Sequence, residues 1–194
     1  MIAHIDGKLV TKTPAYVVIE CAGVGYMIHI SMHTYDQLGN SEKQKLFTHL
    51  IVKEDSHTLF GFADEDERQL FIHLISVSGV GPNTARLMLS SLRPAEIREA
   101  IMLENWALIK TVKGIGEKTA QKVVIELKNK VKRGDGNATS MFSSGRGSLA
   151  DEALAALMML GFSKAEAEKG ITRVKQQNPD YSVEELVKNT LKII

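Results

Sequence analysis

The chain has 194 residues, 44 % hydrophobic and 24 % charged, the make-up of a globular protein with a real core. Its net charge is only +1, and its single cysteine, Cys21, excludes an intrachain disulfide and a cysteine-built zinc site. No apolar run approaches the roughly 18 residues that cross a bilayer, and the opening MIAHIDGK lacks a signal-peptide layout, so a cytoplasmic protein with no membrane partner is expected.

Residues 1–64 read as a β-rich first domain. Ala15–Cys21, Tyr26–Ile30, Leu46–Val52 and Thr58–Phe62 are rich in β-branched and aromatic residues. Gly7, Pro14, Gly23 and Gly25 punctuate these runs, and His33–Leu38 reads as a short helix closed by Gly39. Five or six short strands with one short helix predict a small barrel such as an OB-fold. Glu54 and Asp55 fall at a hairpin tip between the last two strands. Adjacent carboxylates at a tip are ordinarily just solvated.

From Glu65 the period turns helical, and 65–133 reads as an all-α block. Leu70, Leu74 and Ile75, then Leu87 and Leu89, fall at helical spacing. Pro94 begins a helix running to Met102, and Leu108–Val112 and Thr119–Val131 follow. The near-neutral total hides a local excess: residues 106–133 hold eight basic and two acidic side chains. Such a face suits a protein that meets phosphate in one place, although a single lysine-rich helix is more often just solvated.

Residues 134–147, rich in glycine and serine, read as a flexible linker. In 148–194 three capping-box patterns mark three helix starts: Ser148 with Asp151, Ser163 with Glu166, and Ser182 with Glu185. Gly161 is expected to end the first of these helices and Asn178-Pro179 the second. Leu154, Leu157, Leu160 and Phe162 are the expected core. The fold class is therefore α+β and multidomain.

One repeat carries the chemistry. Val77-Ser-Gly-Val-Gly-Pro-Asn-Thr-Ala85 matches Val112-Lys-Gly-Ile-Gly-Glu-Lys-Thr-Ala120 at a constant offset of 35. A helix ends, the chain turns on Gly-hydrophobic-Gly, and a second helix begins: a helix-hairpin-helix, twice. Gly79, Gly81, Gly114 and Gly116 allow positive φ and close approach of a ligand, while Val80 and Ile115 plug the gap between helices. The N–H groups of the turn and of the following helix start are donors suited to a phosphate. Asn83 lies in the first hairpin, Thr84 and Thr119 add hydroxyls, Lys118 adds a charge, and Lys122 lies one turn later. None of these groups reads a base edge, so sequence-independent, salt-sensitive binding to the DNA backbone is expected. One such turn is as often mere packing; two in tandem before a basic helix are not.

The chain resembles the RuvA family, the Holliday-junction-recognition subunits of the bacterial RuvAB branch-migration complex. The resemblance runs from MIAHIDGKL through Gly23-Val-Gly-Tyr26, Phe47-Thr-His49, Lys53-Glu-Asp55 and Leu59-Phe-Gly-Phe62. It continues through both glycine turns to Ala156-Leu-Met-Met-Leu-Gly-Phe162. It implies an OB-fold domain I, a tandem helix-hairpin-helix domain II, and a tethered three-helix, UBA-like domain III. It implies a homotetramer, or an octamer where two tetramers sandwich the junction. Domain III is expected to contact the hexameric ATPase RuvB, with the RuvC resolvase as a further partner in recombination, DNA repair and the SOS response. Glu54 and Asp55 match the family's acidic pin, a role that only the resemblance supplies. Two departures stand out: Asn83 replaces a lysine found in many relatives, and Glu117 stands where a basic residue is common.

No catalytic role is expected. Gly114–Thr119 is not a Walker A motif, because Glu117 separates Gly116 from Lys118 and the preceding segment reads as helix. The six histidines show no metal spacing, no nucleophile triad is apparent, and no cofactor is expected. The rival classes are a hairpin-type repair enzyme, a glycosylase or nuclease, and a DNA-tethering accessory domain. A glycosylase needs a catalytic Asp downstream of the hairpin, and the nearest, Asp135, falls in the linker.

Overall fold

The computed structural model describes residues 2–39, 41–132, 148–178 and 181–194. The expected linker at 134–147 and Asp135 lie outside them. The chain divides into two compact units, 1–133 and 134–194.

The first unit begins with five strands: β1 (His4–Lys12), β2 (Tyr16–Cys21), β3 (Val24–Ile30), β4 (Lys43–Val52) and β5 (His57–Phe62). They close into a barrel in the order β1-β2-β3-β5-β4. All pairings are antiparallel except β3 with β5, where Ile28 faces Leu59 and Ile30 faces Gly61. Helix α1 (Met32–Gln37) sits between β3 and β4, which completes the OB arrangement. Alternation drives closure: Val17, Ile19, Ile28, Ile30 and Leu46 point inward and are almost wholly buried. Gly25 does not punctuate the second hairpin as expected, but pairs inside β3 with Glu20. Ala22 and Gly23, with φ of +49° and +85°, make the turn in two residues, so the strand resumes at Val24.

Helices α2 (Glu65–Ile75), α3 (Pro82–Ser91), α4 (Pro94–Met102), α5 (Trp106–Lys110) and α6 (Glu117–Lys132) complete the unit. Asp64 caps α2, its carboxylate accepting from Glu67 N–H at 2.7 Å. Leu70, Phe71 and Leu74 of α2 share one core with Phe60 and Phe62 of β5 and with Met88, Leu89, Ile97, Ile101, Val123 and Leu127 of the helices. The barrel and the helical block are therefore continuous through a cluster of phenylalanines, with ring centroids 5.1 Å apart for Phe60–Phe71 and 4.9 Å for Phe62–Phe71. Leu87, expected in the helical core, is 40 % exposed, because neighbours Met88 and Leu89 already fill the buried face of α3.

The second unit holds α7 (Leu149–Met159), α8 (Lys164–Gln177) and α9 (Val183–Thr190). All three expected capping boxes form. The Ser148 and Ser163 bonds to Asp151 and Glu166 hold both carboxyls below their ordinary range. Gly161 takes φ of +100° just after α7, and α8 ends at Asn178. The core is Ala153, Leu157, Ala167, Ile171, Val174 and Leu186, with Leu154 and Phe162 packed against it. Leu160 is a correction: as the C-cap of α7 it turns outward and is 59 % exposed.

Candidate nucleic-acid interface

The repeated nonapeptide is a structural repeat. In the first copy, Val77 N–H donates to Leu74 O and Val80 N–H to Val77 O. Gly79 takes φ of +95°, and Gly81 is the N-cap of α3, with Pro82 in its first turn. In the second copy, Val112 N–H donates to Ile109 O, Ile115 N–H donates to Val112 O, and Gly114 takes φ of +89°. Ala85 N–H closes on Gly81 O and Ala120 N–H on Gly116 O, both at 2.9 Å. The buried positions correspond pair by pair: Val77 with Val112, Val80 with Ile115, Ala85 with Ala120. Val80 and Ile115 are the plugs that the pattern predicts, and both belong to the helical core.

The positive φ explains the glycines at 79 and 114, since a β-carbon there would strain the backbone by roughly 1–2 kcal/mol. The second glycine of each turn has a different reason. Gly81 has φ of −82°, and a β-carbon on Gly81 or Gly116 would meet nothing within 4 Å. No intramolecular packing requires their bareness. Gly81 holds the N-cap of α3, a position that favours glycine over alanine, and the bare backbone of both residues leaves room for an external group.

Around the turns, Ser78, Gly79, Gly81 and Asn83 are exposed in the first copy, and Lys113, Gly114, Gly116, Lys118 and Lys122 in the second. Thr84 and Thr119 are half-buried. Gly81 caps α3 without a side-chain bond, so the first N–H groups of that helix keep their hydrogen-bonding capacity. Lys113, Lys118 and Lys122 have no ion-pair partner among the described residues. The start of α6 lies against the first turn, with Thr119 beside Gly79, and Lys113, Lys118 and Lys122 flank the second turn along the chain, donors of the kind that meet phosphate oxygens.

Glu117 is accounted for locally. Its carboxylate accepts from Lys110 Nζ at 2.8 Å, and that ammonium lies 5.9 Å from the Trp106 ring centroid. The acid at the start of α6 therefore neutralises a neighbouring lysine. No signal in the sequence announces this pairing between two helices.

Glu54 and Asp55 stand at the β4–β5 tip, where Lys53 N–H donates to Ser56 O at 2.8 Å. Both carboxylates are exposed, and Asp55 Oδ1 accepts from the Ser56 hydroxyl at 3.2 Å. His29 and His33 lie on different elements, β3 and α1, and no group of three metal-ligating side chains occurs among the described residues. Nor is any described helix long and apolar enough to cross a membrane.

Sequence reasoning missed the polar links between barrel and helices. Glu67 is buried on α2 and accepts from the hydroxyls of Ser31 and, at 2.5 Å, Thr34. Burial pushes its carboxyl above the ordinary range, against the two hydroxyl bonds. Arg68 reaches the carbonyls of Ala3 at 3.2 Å and Thr48 at 3.4 Å. Beside these links, burial lowers His49 and His29, with Arg68 and Arg86 as the lesser causes.

Comparison with known proteins supports this architecture. Residues 1–61 match the family model of the RuvA N terminal domain, 71–129 that of a SAM-like Helix-hairpin-helix tandem, and 148–194 that of the RuvA C-terminal domain. The chain is 50 % identical over 192 residues to the Holliday junction branch migration complex subunit RuvA of Christiangramia forsetii, covering 99 % of both chains. The protein of the same description from Flavobacterium psychrophilum is 51 % identical over 193 residues, again 99 % of both chains. That from Cytophaga hutchinsonii is 46 % identical over 198 aligned positions, all of both chains.

Proposed function

The chain belongs to the RuvA family, and from that premise we propose that it is the non-catalytic, DNA-binding subunit of a Holliday junction branch migration complex. It binds four-way junctions without regard to sequence, holds them open, and works in recombination and DNA repair beside the ATPase RuvB. The observation that carries the mechanism is the paired glycine turns with bare, exposed backbone, the second flanked by Lys113 and Lys118.

In this reading, the N–H groups of the glycines at 79, 81, 114 and 116, held outward by the buried Val80 and Ile115, act with Asn83, Thr84, Lys118, Thr119 and Lys122 to hold phosphates of the arms. Base edges go unread, so affinity falls steeply with salt. The junction preference arises when copies assemble. Two hairpins per chain in a homotetramer make a ring of backbone grips around the crossover, and a second tetramer closes it into an octamer. Glu54 and Asp55 of each copy then gather at the centre. Their summed negative charge repels phosphates and steers strands apart.

The reading assigns 1–64 to the tetramer core with the acidic pin, 65–133 to DNA binding, 134–147 to a tether and 148–194 to the motor contact. Exposed Met158, Met159 and Leu160 give the last unit an apolar surface of the kind a partner covers. RuvC resolvase is a further partner in the same complex, and the setting is the cytoplasm. The experiment is a gel-shift salt series comparing a synthetic four-way junction with duplex of one arm's sequence. A strong junction preference that weakens with salt is expected; equal affinity for both DNAs overturns the reading.

A further inference from the structure

The first hairpin is fastened to the barrel on both of its legs: Arg68 of α2 reaches Ala3 and Thr48, and the remaining ties of both legs gather at one corner. That corner is where β3 runs into α1. From α3, Arg86 Nη1 donates to the carbonyls of Ala15 at 3.1 Å and Ile30 at 3.2 Å. One helical turn on, Ser90 Oγ accepts from Met32 N–H at 3.0 Å and donates to Arg86 O at 2.8 Å. From α2, Glu67 takes the hydroxyls of Ser31 and Thr34. Thr34 Oγ1 in turn accepts from Ala63 N–H at 3.2 Å, just before α2 begins. The helices before and after the Gly79–Gly81 turn are thus both tied to residues 30–34.

Arg86 is spent in an unusual way. An arginine on a helix that follows a phosphate-binding turn would ordinarily be free to meet DNA. This one lies half-buried, its Nε enclosed without a partner, and its bonds go to two main-chain carbonyls. It has no carboxylate partner among the described residues. Burying part of a charge for two carbonyl bonds is costly unless the position it fixes matters.

The second hairpin has no such tie. Among the described residues no side-chain hydrogen bond joins 106–132 to the barrel. Its links run to the first hairpin and its neighbours: Lys130 Nζ to Ser76 Oγ at 2.9 Å, and Thr119 beside Gly79. Any swing of the first hairpin on the barrel therefore carries the second with it.

We infer that Arg86 is a positioning residue for junction recognition, its tie to Ala15 and Ile30 holding the hairpins at a fixed attitude to the barrel that bears Glu54 and Asp55. The inference rests on the proposed function and adds a source of selectivity to it. Duplex needs only the hairpins, wherever they point. A junction needs hairpins and acidic tip in one geometry, so slack at the corner burdens the junction complex alone with an alignment cost.

The test uses the full chain with Arg86→Ala, Arg86→Lys and Ser90→Ala, each measured by melting and by titration with a four-way junction and a single-arm duplex. Arg86→Ala is expected to weaken junction binding about tenfold and duplex binding less than about twofold, the alignment cost of a loosened corner falling on the junction complex only. Arg86→Lys, whose ammonium can still reach a carbonyl, recovers part of the preference. Ser90→Ala moves in the same direction by less, and these two variants carry the test should Arg86→Ala fail to fold. Parallel losses on both DNAs with a lowered melting point make the role merely structural and overturn the inference. So does unchanged junction affinity. A wild-type chain with no junction preference instead sinks the proposed function, and the inference with it.

Discussion

A β-carbon on Gly79 would stand 3.7 Å from the Thr119 hydroxyl oxygen, so the first glycine turn lies against the start of α6 that follows the second. The space there admits a methyl group; the backbone does not, because Gly79 holds φ of +95°. Gly79→Ala should therefore destabilise the fold by roughly 1–2 kcal/mol, lowering the melting temperature by roughly 2–4 °C per kcal/mol. Gly81→Ala is the informative companion. Its φ is −82° and a β-carbon there meets no atom within 4 Å, so melting should fall only by what alanine loses to glycine as the N-cap of α3, about 1 kcal/mol or less. If DNA approaches that backbone closely, affinity should fall all the same. Wild-type affinity in Gly81→Ala would show that nothing docks there.

Lys118 is exposed in the first turn of α6 and free of ion pairs among the described residues. Lys118→Ala should weaken junction and duplex alike. It should also lessen the slope of log affinity against log salt by about one for each phosphate that is no longer neutralised. The melting curve should stay in place. A lowered affinity with the full salt slope would mean that Lys118 does not touch phosphate.

These features were legible in the sequence because they are local. A turn that needs positive φ writes itself as glycine, a plug as an aliphatic between glycines, and a cap as serine three residues before an acid. The β4–β5 tip was legible for the same reason. The corner at residues 30–34 was not. Arg86 meets carbonyls 71 and 56 residues away in the chain, and Glu67 meets Ser31 across 36. Nothing in Asp64-Glu-Asp-Glu67 distinguishes the one acid that becomes buried from its solvated neighbours. Leu87 and Leu160 fail in the opposite sense: helical spacing admits them to a core whose volume is already filled.

Glu117 offers a gain of function. Its carboxylate occupies the first turn of α6, where phosphate would otherwise find a positive helix end, and it ties up Lys110 at 2.8 Å. Glu117→Gln removes one negative charge and frees one positive. Both changes favour DNA, so affinity should rise several-fold at low salt and converge on wild type as salt screens the difference. Stability should fall slightly, by about 0.3–1 kcal/mol, as the helix loses an acid at its N-terminus. Unaltered affinity at low salt would place the second turn away from DNA.

The exposed pair Glu54 and Asp55 should act by charge alone, since the β4–β5 turn is already closed by the bond from Lys53 N–H to Ser56 O. Glu54→Gln with Asp55→Asn should leave melting unchanged and raise affinity for plain duplex, narrowing the preference for a junction. Gel shifts with both DNAs read this directly. An unchanged duplex affinity would count against any electrostatic role for the tip.

Glu67 makes the stability of the corner depend on pH. Burial raises its carboxyl above the ordinary value, with the Ser31 and Thr34 hydroxyls and the nearby His33 acting against that rise and Asp64 adding to it. A carboxyl raised in the folded state binds its proton more tightly there than in the unfolded chain. Its contribution is therefore complete below about pH 4, the ordinary glutamate range, and is lost as pH rises through the folded value. Glu67→Gln removes this titration. It also costs about 1 kcal/mol, because the amide NH2 cannot accept from a hydroxyl, whereas both oxygens of the carboxyl can in either protonation state. Wild type should thus exceed Glu67→Gln in unfolding free energy by most at acid pH, and the gap should shrink towards neutrality. Comparing the two proteins cancels the other groups that titrate in this window, including the lowered histidines His29 and His49 and the capped carboxylates Asp151 and Glu166. Denaturant melts at a series of pH values read the difference, and a gap that widens as pH rises would mean that the folded corner prefers Glu67 ionised.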